Sequence, residues 1–400
     1  MTEFEGDVIM KIAMIFDGMP VGGIEKVGAD YASLLIEHGH ELKIVNLRPA
    51  LMEMEKTFPE NCEILHLSYP RWLAPEYYTA LARHWKIGSV LYPIARSVMM
   101  PVCSLCSLSF RKKLAGYGCF DYVIAFSGHI NDLTFVADDV VSAERKLAWL
   151  HGAERDYSTP PSGFLKLYAK IKNLVCLSEQ GDEFINEFNH SAGIRKKRIY
   201  NPIFNRSNEI DRNKVKDLQQ RYGSFCLMAA RLDDDKDHKT VIRGLLYLKE
   251  KYQFTPCMLF AGDGKNRNEL EHIVRESGMS DQIIFLGNRF DMQNYYAAAK
   301  LYIHSSPAEG LPTSILEAMS YGLPIVSTAS LPGCREILGE NQYGLVTPVG
   351  DEKALMENVY RLFYDKKLCA HYSEMSRIRI QDFSPEQIYH EFEEYLKSLS

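Results

Sequence analysis

The sequence predicts an α/β protein made of two doubly wound parallel-sheet domains. Short β-branched or aromatic runs alternate with amphipathic helical patterns from end to end, as parallel layers require. The runs fall into two sets of about six, enough for two sheets. A chain of 400 residues divides most simply into two domains of about 200 each.

In the first half, strands are expected at Lys11–Phe16, Leu42–Leu47, Ile64–Leu67, Tyr122–Phe126, Lys146–Leu150 and Leu174–Leu177. Gly22 and Gly23 follow the first run and open a helix with Val27, Tyr31, Leu34 and Leu35 on one side. Two glycines at a helix start leave backbone N–H groups open to a phosphate or an acceptor. The dinucleotide GxGxxG pattern is absent there, which disfavours a nicotinamide cofactor. Asn201–Asn208, rich in Pro, Asn and Ser, reads as the linker. The second set of strands is expected at Phe225–Ala229, Pro256–Ala261, Ile283–Leu286, Leu301–His304, Pro324–Thr328 and Gly344–Val346, with a last helix over Pro385–Leu399. The domains are placed at 1–205 and 206–379.

Composition excludes several classes. The chain is 46% hydrophobic and 11% aromatic, ample for buried cores, so disorder is not expected. Its net charge of −6 argues against a general nucleic-acid binder. Nine cysteines are scattered, mostly inside apolar runs, and read as reduced core residues of a cytosolic protein. Cys103 and Cys106 make a CxxC without a second ligand pair, weak grounds for zinc or redox use. The acidic start lacks a signal-peptide pattern, and no apolar run reaches the roughly 18 residues of a membrane span. A cytoplasmic protein, or one bound to the inner membrane face only peripherally, is expected. The segment Arg71–Gly118 holds seven Lys/Arg against one Asp/Glu, interleaved with Trp72, Trp85, Leu91, Tyr92, Val98, Met99, Met100 and Phe110. It suits an anionic membrane surface or lipid-linked acceptor, or equally a helical pair with a solvated basic side.

The chemistry concentrates after strand-like runs. Following Leu301–His304, Glu309 and Glu317 stand eight residues apart on a loop-to-helix segment, Ser305 to Met319. About two helical turns separate them, so both acids can face one ligand. Gly310 beside Glu309 lets backbone approach closely, and the open amides of the helix start suit a phosphate or sugar hydroxyl. Arg231 and Lys236 follow Phe225–Ala229, a fork and a point charge fit to hold an anionic group. Asp233, Asp234 and Asp235 between them imitate a metal-binding DxD, weighed against a solvated loop or helix start. His151 ends Lys146–Leu150 ahead of Gly152, where open α/β sheets bind ligands. His129 and His304 also follow strand-like runs and are expected to be structural. Gly262 and Gly264, and Gly287 through Arg289, sit in turns after strands.

The stretch Ser306-Pro307-Ala308-Glu309-Gly310-Leu311-Pro312-Thr313, continuing into Glu317-Ala318-Met319 and Gly322-Leu323-Pro324-Ile325-Val326, resembles the Glu-x7-Glu signature of glycosyltransferase family 4, the glycosyl transferases group 1. Gly22-Gly23-Ile24-Glu25 is similar to that family's entry motif, and the resemblance covers nearly the whole chain. It implies the GT-B fold, two Rossmann-like domains facing across a cleft, with the helix at 380–400 crossing back to the first domain. It implies a retaining hexosyltransferase that takes sugar from a nucleoside diphosphate, UDP-hexose favoured, to a saccharide or lipid-linked saccharide in polysaccharide or glycolipid synthesis. The acceptor would lie on the first domain and the donor mainly on the second, with no metal and no other cofactor. The resemblance assigns Arg231 and Lys236 to the diphosphate, Glu309 to sugar hydroxyls, Glu317 to ribose and His151 to the far side of the sugar. Gly22, Gly23, Gly262, Gly264, Arg289, Gly310, Leu311, Pro312 and Thr313 would line the donor. Leu331-Pro332-Gly333-Cys334-Arg335-Glu336 departs from the family's Gly-Gly-x-x-Glu by lacking its first glycine. A non-catalytic partner subunit, disfavoured by the presence of Arg231, Lys236, Glu309 and Glu317, and a GT-B-like epimerase are the alternative readings.

Overall fold

A computed structural model describes residues 9–69, 98, 105, 107–151, 167–178, 193–204 and 209–399. The chain forms two compact units, Met1–Pro202 with Pro385–Ser400, and Ile203–Ser384. Cys103, Cys106, Gly152 and most of Arg71–Gly118 lie outside the described residues.

The first unit is built on β1 (Lys11–Phe16), α1 (Gly23–Glu37), β2 (Glu41–Asn46), β3 (Glu63–His66), β4 (Phe120–Ala125), α2 (Ile130–Ala137), β5 (Ala143–Leu150), β6 (Asn173–Cys176) and β7 (Arg195–Arg198). They make a seven-stranded parallel sheet of order β3-β2-β1-β4-β5-β6-β7. The sheet has one strand more than expected: β7, Arg-Lys-Lys-Arg, carries no apolar signal because it stands last in the sheet order, paired with β6 alone among the described residues, and its side chains are mostly exposed. Ile15, Val123, Ala148 and Leu174, one from each central strand, meet in a single core.

The second unit runs α3 (Arg212–Tyr222), β8 (Phe225–Ala229), α4 (His238–Tyr252), β9 (Cys257–Ala261), α5 (Arg267–Glu276), β10 (Ile283–Gly287), α6 (Met292–Ala298) and β11 (Leu301–His304). It continues through β12 (Ala308–Glu309), α7 (Thr313–Ser320), β13 (Ile325–Thr328), β14 (Leu331–Pro332), α8 (Gly333–Leu338), β15 (Leu345–Thr347), α9 (Glu352–Tyr364) and α10 (Lys366–Arg379). Its parallel sheet has the order β10-β9-β8-β11-β13-β15, and β12 pairs with β14 in a small sheet apart. The predicted class, two doubly wound parallel sheets, is what the structure has. In both sheets the order reverses once, between β1 and β4 and between β8 and β11. Loops leaving the carboxyl ends of strands at such a reversal diverge and open a crevice.

The last helix, α11 (Pro385–Ser398), packs on the first unit. Phe392 wedges against Tyr31 and Trp149, with ring centroids 5.4 and 5.3 Å away. The Tyr122 hydroxyl donates to the Leu396 carbonyl at 2.8 Å, and the Tyr395 hydroxyl bonds the Leu174 and Arg195 backbone at 3.2 Å. His40 Nε2 meets the Tyr389 hydroxyl at 2.8 Å. The helix is therefore held by an aromatic core ringed with satisfied polar tips. Phe392→Ala is expected to destabilise the first unit by about 3–5 kcal/mol through the cavity left among these rings. Urea unfolding should show a lower midpoint at unchanged slope.

Candidate active site

Phe225–Ala229 is apolar throughout and buried except at Ala229, so β8 delivers the chain to the carboxyl edge of the sheet and into a charged turn. A 3₁₀ turn over Asp234–Lys236 follows, and Asp237 takes a left-handed conformation (φ 45°) to start α4. The Asp237 side chain caps that helix, accepting from the Thr240 backbone N–H at 3.3 Å and from the Thr240 hydroxyl at 2.6 Å. The loop after β11 meets this turn. Ser305 Oγ bonds the carbonyls of Lys236 and Asp237 at 2.9 and 3.0 Å. Across the junction, Lys236 Nζ donates to Glu309 Oε1 at 2.6 Å. Both side chains are largely buried, 17% and 16% exposed. Burial works against the Lys236 ammonium, but the Glu309 and Asp235 carboxylates outweigh it and hold the amine above its usual range.

Glu309 is itself held by sheet pairing. It stands opposite Pro332 in the β12–β14 pair, and β14 is the start of the Leu331-Pro332-Gly333 stretch. Gly333 is required there: a Cβ would come within 2.5 Å of the Gly310 carbonyl oxygen. Pro312 and Leu311, both buried, lead into α7, whose first residue is Thr313. Glu317 on α7 receives a hydrogen bond from the buried Tyr296 hydroxyl at 3.1 Å. Tyr296 on α6 carried no sequence signal for this role, because the contact spans two elements 21 residues apart.

The three aspartates are neither a simple solvated loop nor a free cation trap. Arg231 donates to Asp233 at 2.7 Å and Asp235 at 3.2 Å, Lys236 reaches Asp235 at 3.2 Å, and Lys265 reaches Asp234 at 2.7 Å. Among the described residues no group of three or more His, Cys, Asp or Glu is arranged to hold a metal. Arg231 remains 60% exposed, a guanidinium poised at the rim while Lys236 sits deeper. Gly262 (φ 140°) follows β9, and a Cβ there would lie 2.0 Å from the Ala230 carbonyl oxygen, so the glycine is needed by the packing of two loops against each other. Gly264 is packed likewise against Leu232. Arg289, after β10, is exposed.

In the first unit, His151 directly follows β5, with its Nε2 2.7 Å from the Phe126 carbonyl. That bond requires Nε2–H, which leaves Nδ1 as a hydrogen-bond acceptor. Burial pushes the imidazole down to about 3, so it is neutral. Gly22 is the N-cap of α1, and Glu25 folds back over it, 2.4 Å from where a Cβ would stand. Burial pushes Glu25 up to about 7, and its carboxyl narrows the opening expected for a phosphate. Sequence reasoning missed the polar group at the order reversal: Asp17 accepts from Asn131 Nδ2 at 2.9 Å, with Arg48 Nη1 at 3.5 Å and His129 Nδ1 at 3.6 Å.

Residues 210–379 match the family model described as glycosyl transferases group 1. The match lies within the second unit, Ile203–Ser384. Among curated relatives, an N-acetylgalactosamine-N,N'-diacetylbacillosaminyl-diphospho-undecaprenol 4-alpha-N-acetylgalactosaminyltransferase of Campylobacter jejuni is 25% identical over 43% of this chain and 46% of its own length. A second protein of that organism, an alpha-1,4-N-acetyl-D-galactosaminyltransferase, is 28% identical over 44% of this chain and 48% of its own. The aligned part thus spans about half the length of these relatives. Anabaena HepE, solved with UDP and glucose, covers 97% of this chain and all of its own at a TM-score of 0.73 and 19% identity. Staphylococcus aureus TarM covers the same shares, 97% and 100%, at 0.72 and 12%. The fold is that of GT-B glycosyltransferases.

Within the second unit two histidines, His238 and His304, are buried beside the charged turn. His238 opens α4 and packs edge-on against Phe260 at 4.9 Å, and burial pushes it down to about 4. A folded-state value below the unfolded 6.5 means the unfolded chain binds the proton first as pH falls. Stability from the neutral ring is complete above about pH 6.5 and is lost as pH drops toward 4. His238→Leu is expected to flatten the decline of unfolding free energy between pH 6.5 and 4, measured by urea unfolding at stepped pH. An unchanged slope would refute the assignment.

Proposed function

We propose that the chain is a retaining glycosyltransferase of family 4, moving a hexose from a UDP-sugar to a saccharide or lipid-linked saccharide acceptor. The observation that carries the reading is the Lys236–Glu309 pair with Arg231 at its rim, at the order reversal of the second sheet. Cations here match the charge that grows on a departing diphosphate, and Glu309 is an acceptor for sugar hydroxyls. Glu317, steadied by Tyr296, suits the ribose diol. The Nδ1 acceptor of His151 suits a hydroxyl of the transferred sugar, and the Asp17 group suits the acceptor. The C1–O bond to the diphosphate breaks while the acceptor oxygen bonds C1 on the same face. The hydroxyl proton passes to the departing phosphate oxygen. No enzyme nucleophile is needed. Support for UDP comes from HepE and TarM, both solved with it. Support for a lipid-linked acceptor comes from the diphospho-undecaprenol in the name of the Campylobacter jejuni relative.

Arg231→Ala and Lys236→Ala are each expected to lower turnover about 10²–10³-fold, the usual scale for a lost transition-state charge partner. Sugar transfer from UDP-hexoses and UDP-N-acetylhexosamines to a lipid-linked saccharide measures this, and near-normal rates in both variants would end the reading. The same two cations make the reaction metal-independent. Activity should persist in excess EDTA; its loss, with recovery on adding magnesium or manganese, would reassign Asp233–Asp235 as ligands.

The basic segment is proposed to dock on an anionic membrane surface. Among the described residues no helix is long and apolar enough to cross a membrane. Lys112 and Lys113 are exposed, whereas Arg111 is tied to the Asp138 carbonyl. Replacing both lysines with Gln should weaken binding to anionic vesicles by about 2 kcal/mol, at about 1 kcal/mol for each charge. Equal binding to neutral and anionic vesicles would discard the docking.

A further inference from the structure

His304 ends β11, five residues before Glu309, and neither ring nitrogen has a hydrogen-bond partner. A buried polar group left unpaired is costly, and each one in a folded protein calls for a reason. The imidazole is 2% exposed in its side chain, and its Nε2 lies 3.7 Å from Glu309 Oε1. That is too long for a hydrogen bond but within a small side-chain rotation of one. Glu309 meanwhile leans the other way, onto Lys236 at 2.6 Å.

These facts are connected by what a diphosphate would do. An anion arriving at the charged turn competes with Glu309 for the Lys236 ammonium. A carboxylate as buried as Glu309 cannot lose that partner without finding another donor. His304 is the donor within reach. Building on the proposed function, we infer that His304 is a positioning residue: its Nε2–H hydrogen-bonds Glu309 when the donor's diphosphate draws Lys236 away, and so holds the carboxylate aimed at the sugar. Burial pushes the ring down to about 4, so it is neutral at physiological pH and offers one N–H. A neutral donor orients the acid without cancelling its charge and without competing for the diphosphate. The surrounding charges are consistent with this. Of the neighbouring charges, Glu309 favours protonation of His304 and Lys236 disfavours it, and burial outweighs both.

Three substitutions separate positioning from packing. Gln carries an amide N–H to about the position of Nε2, Asn reaches only that of Nδ1, and Leu fills the space with no donor. His304→Leu and His304→Asn are expected to lower kcat about 10–100-fold, the scale seen when a partner that orients an acting side chain is lost. UDP affinity, measured by calorimetry, should fall about tenfold in the same two variants, because the diphosphate then takes Lys236 from a buried carboxylate with no second donor. His304→Gln should recover kcat to within a few-fold of the unaltered protein. Equal loss in the Gln and Leu variants would reduce His304 to a packing residue and overturn the inference.

A second measurement needs no turnover. Lys236→Met frees Glu309 with no ligand present, so the His304–Glu309 bond should form in the free protein. In 15N-histidine-labelled protein, the Nε2–H signal that His304→Leu removes should move downfield and gain protection from exchange. No change in that signal overturns the inference even if transfer from UDP-sugars is found. A shifted signal without transfer from any UDP-sugar leaves the positioning contact standing and removes the proposed function.

Discussion

The second unit is organised around one buried ion pair. Lys236 and Glu309 give up most of their hydration, and at such depth each is tolerable only with the other in place. The pair therefore dictates where two loops from different strands must sit. Its surroundings read as devices that hold those loops to the needed precision. Ser305 pins the backbone under Lys236, Asp237 turns the chain into α4, and the short β12–β14 pair fixes Glu309. Gly333 lets that pair close on Gly310. None of these contacts is large. Together they leave the two charges little freedom to separate without an anion to take one of them.

The two sheets share the logic that places this pair. A parallel sheet wound in both directions leaves divergent loops where its order reverses. In the second unit the reversal gathers Arg231, Lys236 and Glu309; in the first it gathers Asp17, Asn131 and His129. The apolar strands do little chemistry themselves. Their role is to bring polar loops to a common edge from positions far apart in the chain, Asp17 and Asn131 being 114 residues apart.

Most strands were legible because a strand buried on both faces is written as a continuous apolar run. β8 and β11 lie where the runs Phe225–Ala229 and Leu301–His304 put them. β7 was illegible for the opposite reason, since an edge strand of four basic residues has no apolar pattern. β12 and β14 have two residues each, shorter than any periodicity. At the site, Arg231, Lys236 and Glu309 could be found from residue type and spacing after strands. The roles of Tyr296, Ser305 and Asn131 could not, because each depends on a partner brought close only by folding. The aspartates between Arg231 and Lys236 show the limit from the other side. The sequence suggested metal, a solvated loop or a helix start; Asp234 and Asp235 do open a 3₁₀ turn, and Asp233 and Asp235 also restrain the neighbouring cations.

The edge strand β7 also bears on how the protein behaves in a crowd. Among the described residues β7 pairs with β6 alone, and the open side of an edge strand is one that a strand from another molecule could extend. Arg195, Lys196, Lys197 and Arg198 make that extension unfavourable. A second copy approaching in register would stack like charges along the whole strand, so sheets of separate molecules repel at this edge and do not propagate. The residues that hid β7 from a reading of apolar pattern are thus the ones that keep the sheet finite, guarding the chain against self-association and aggregation.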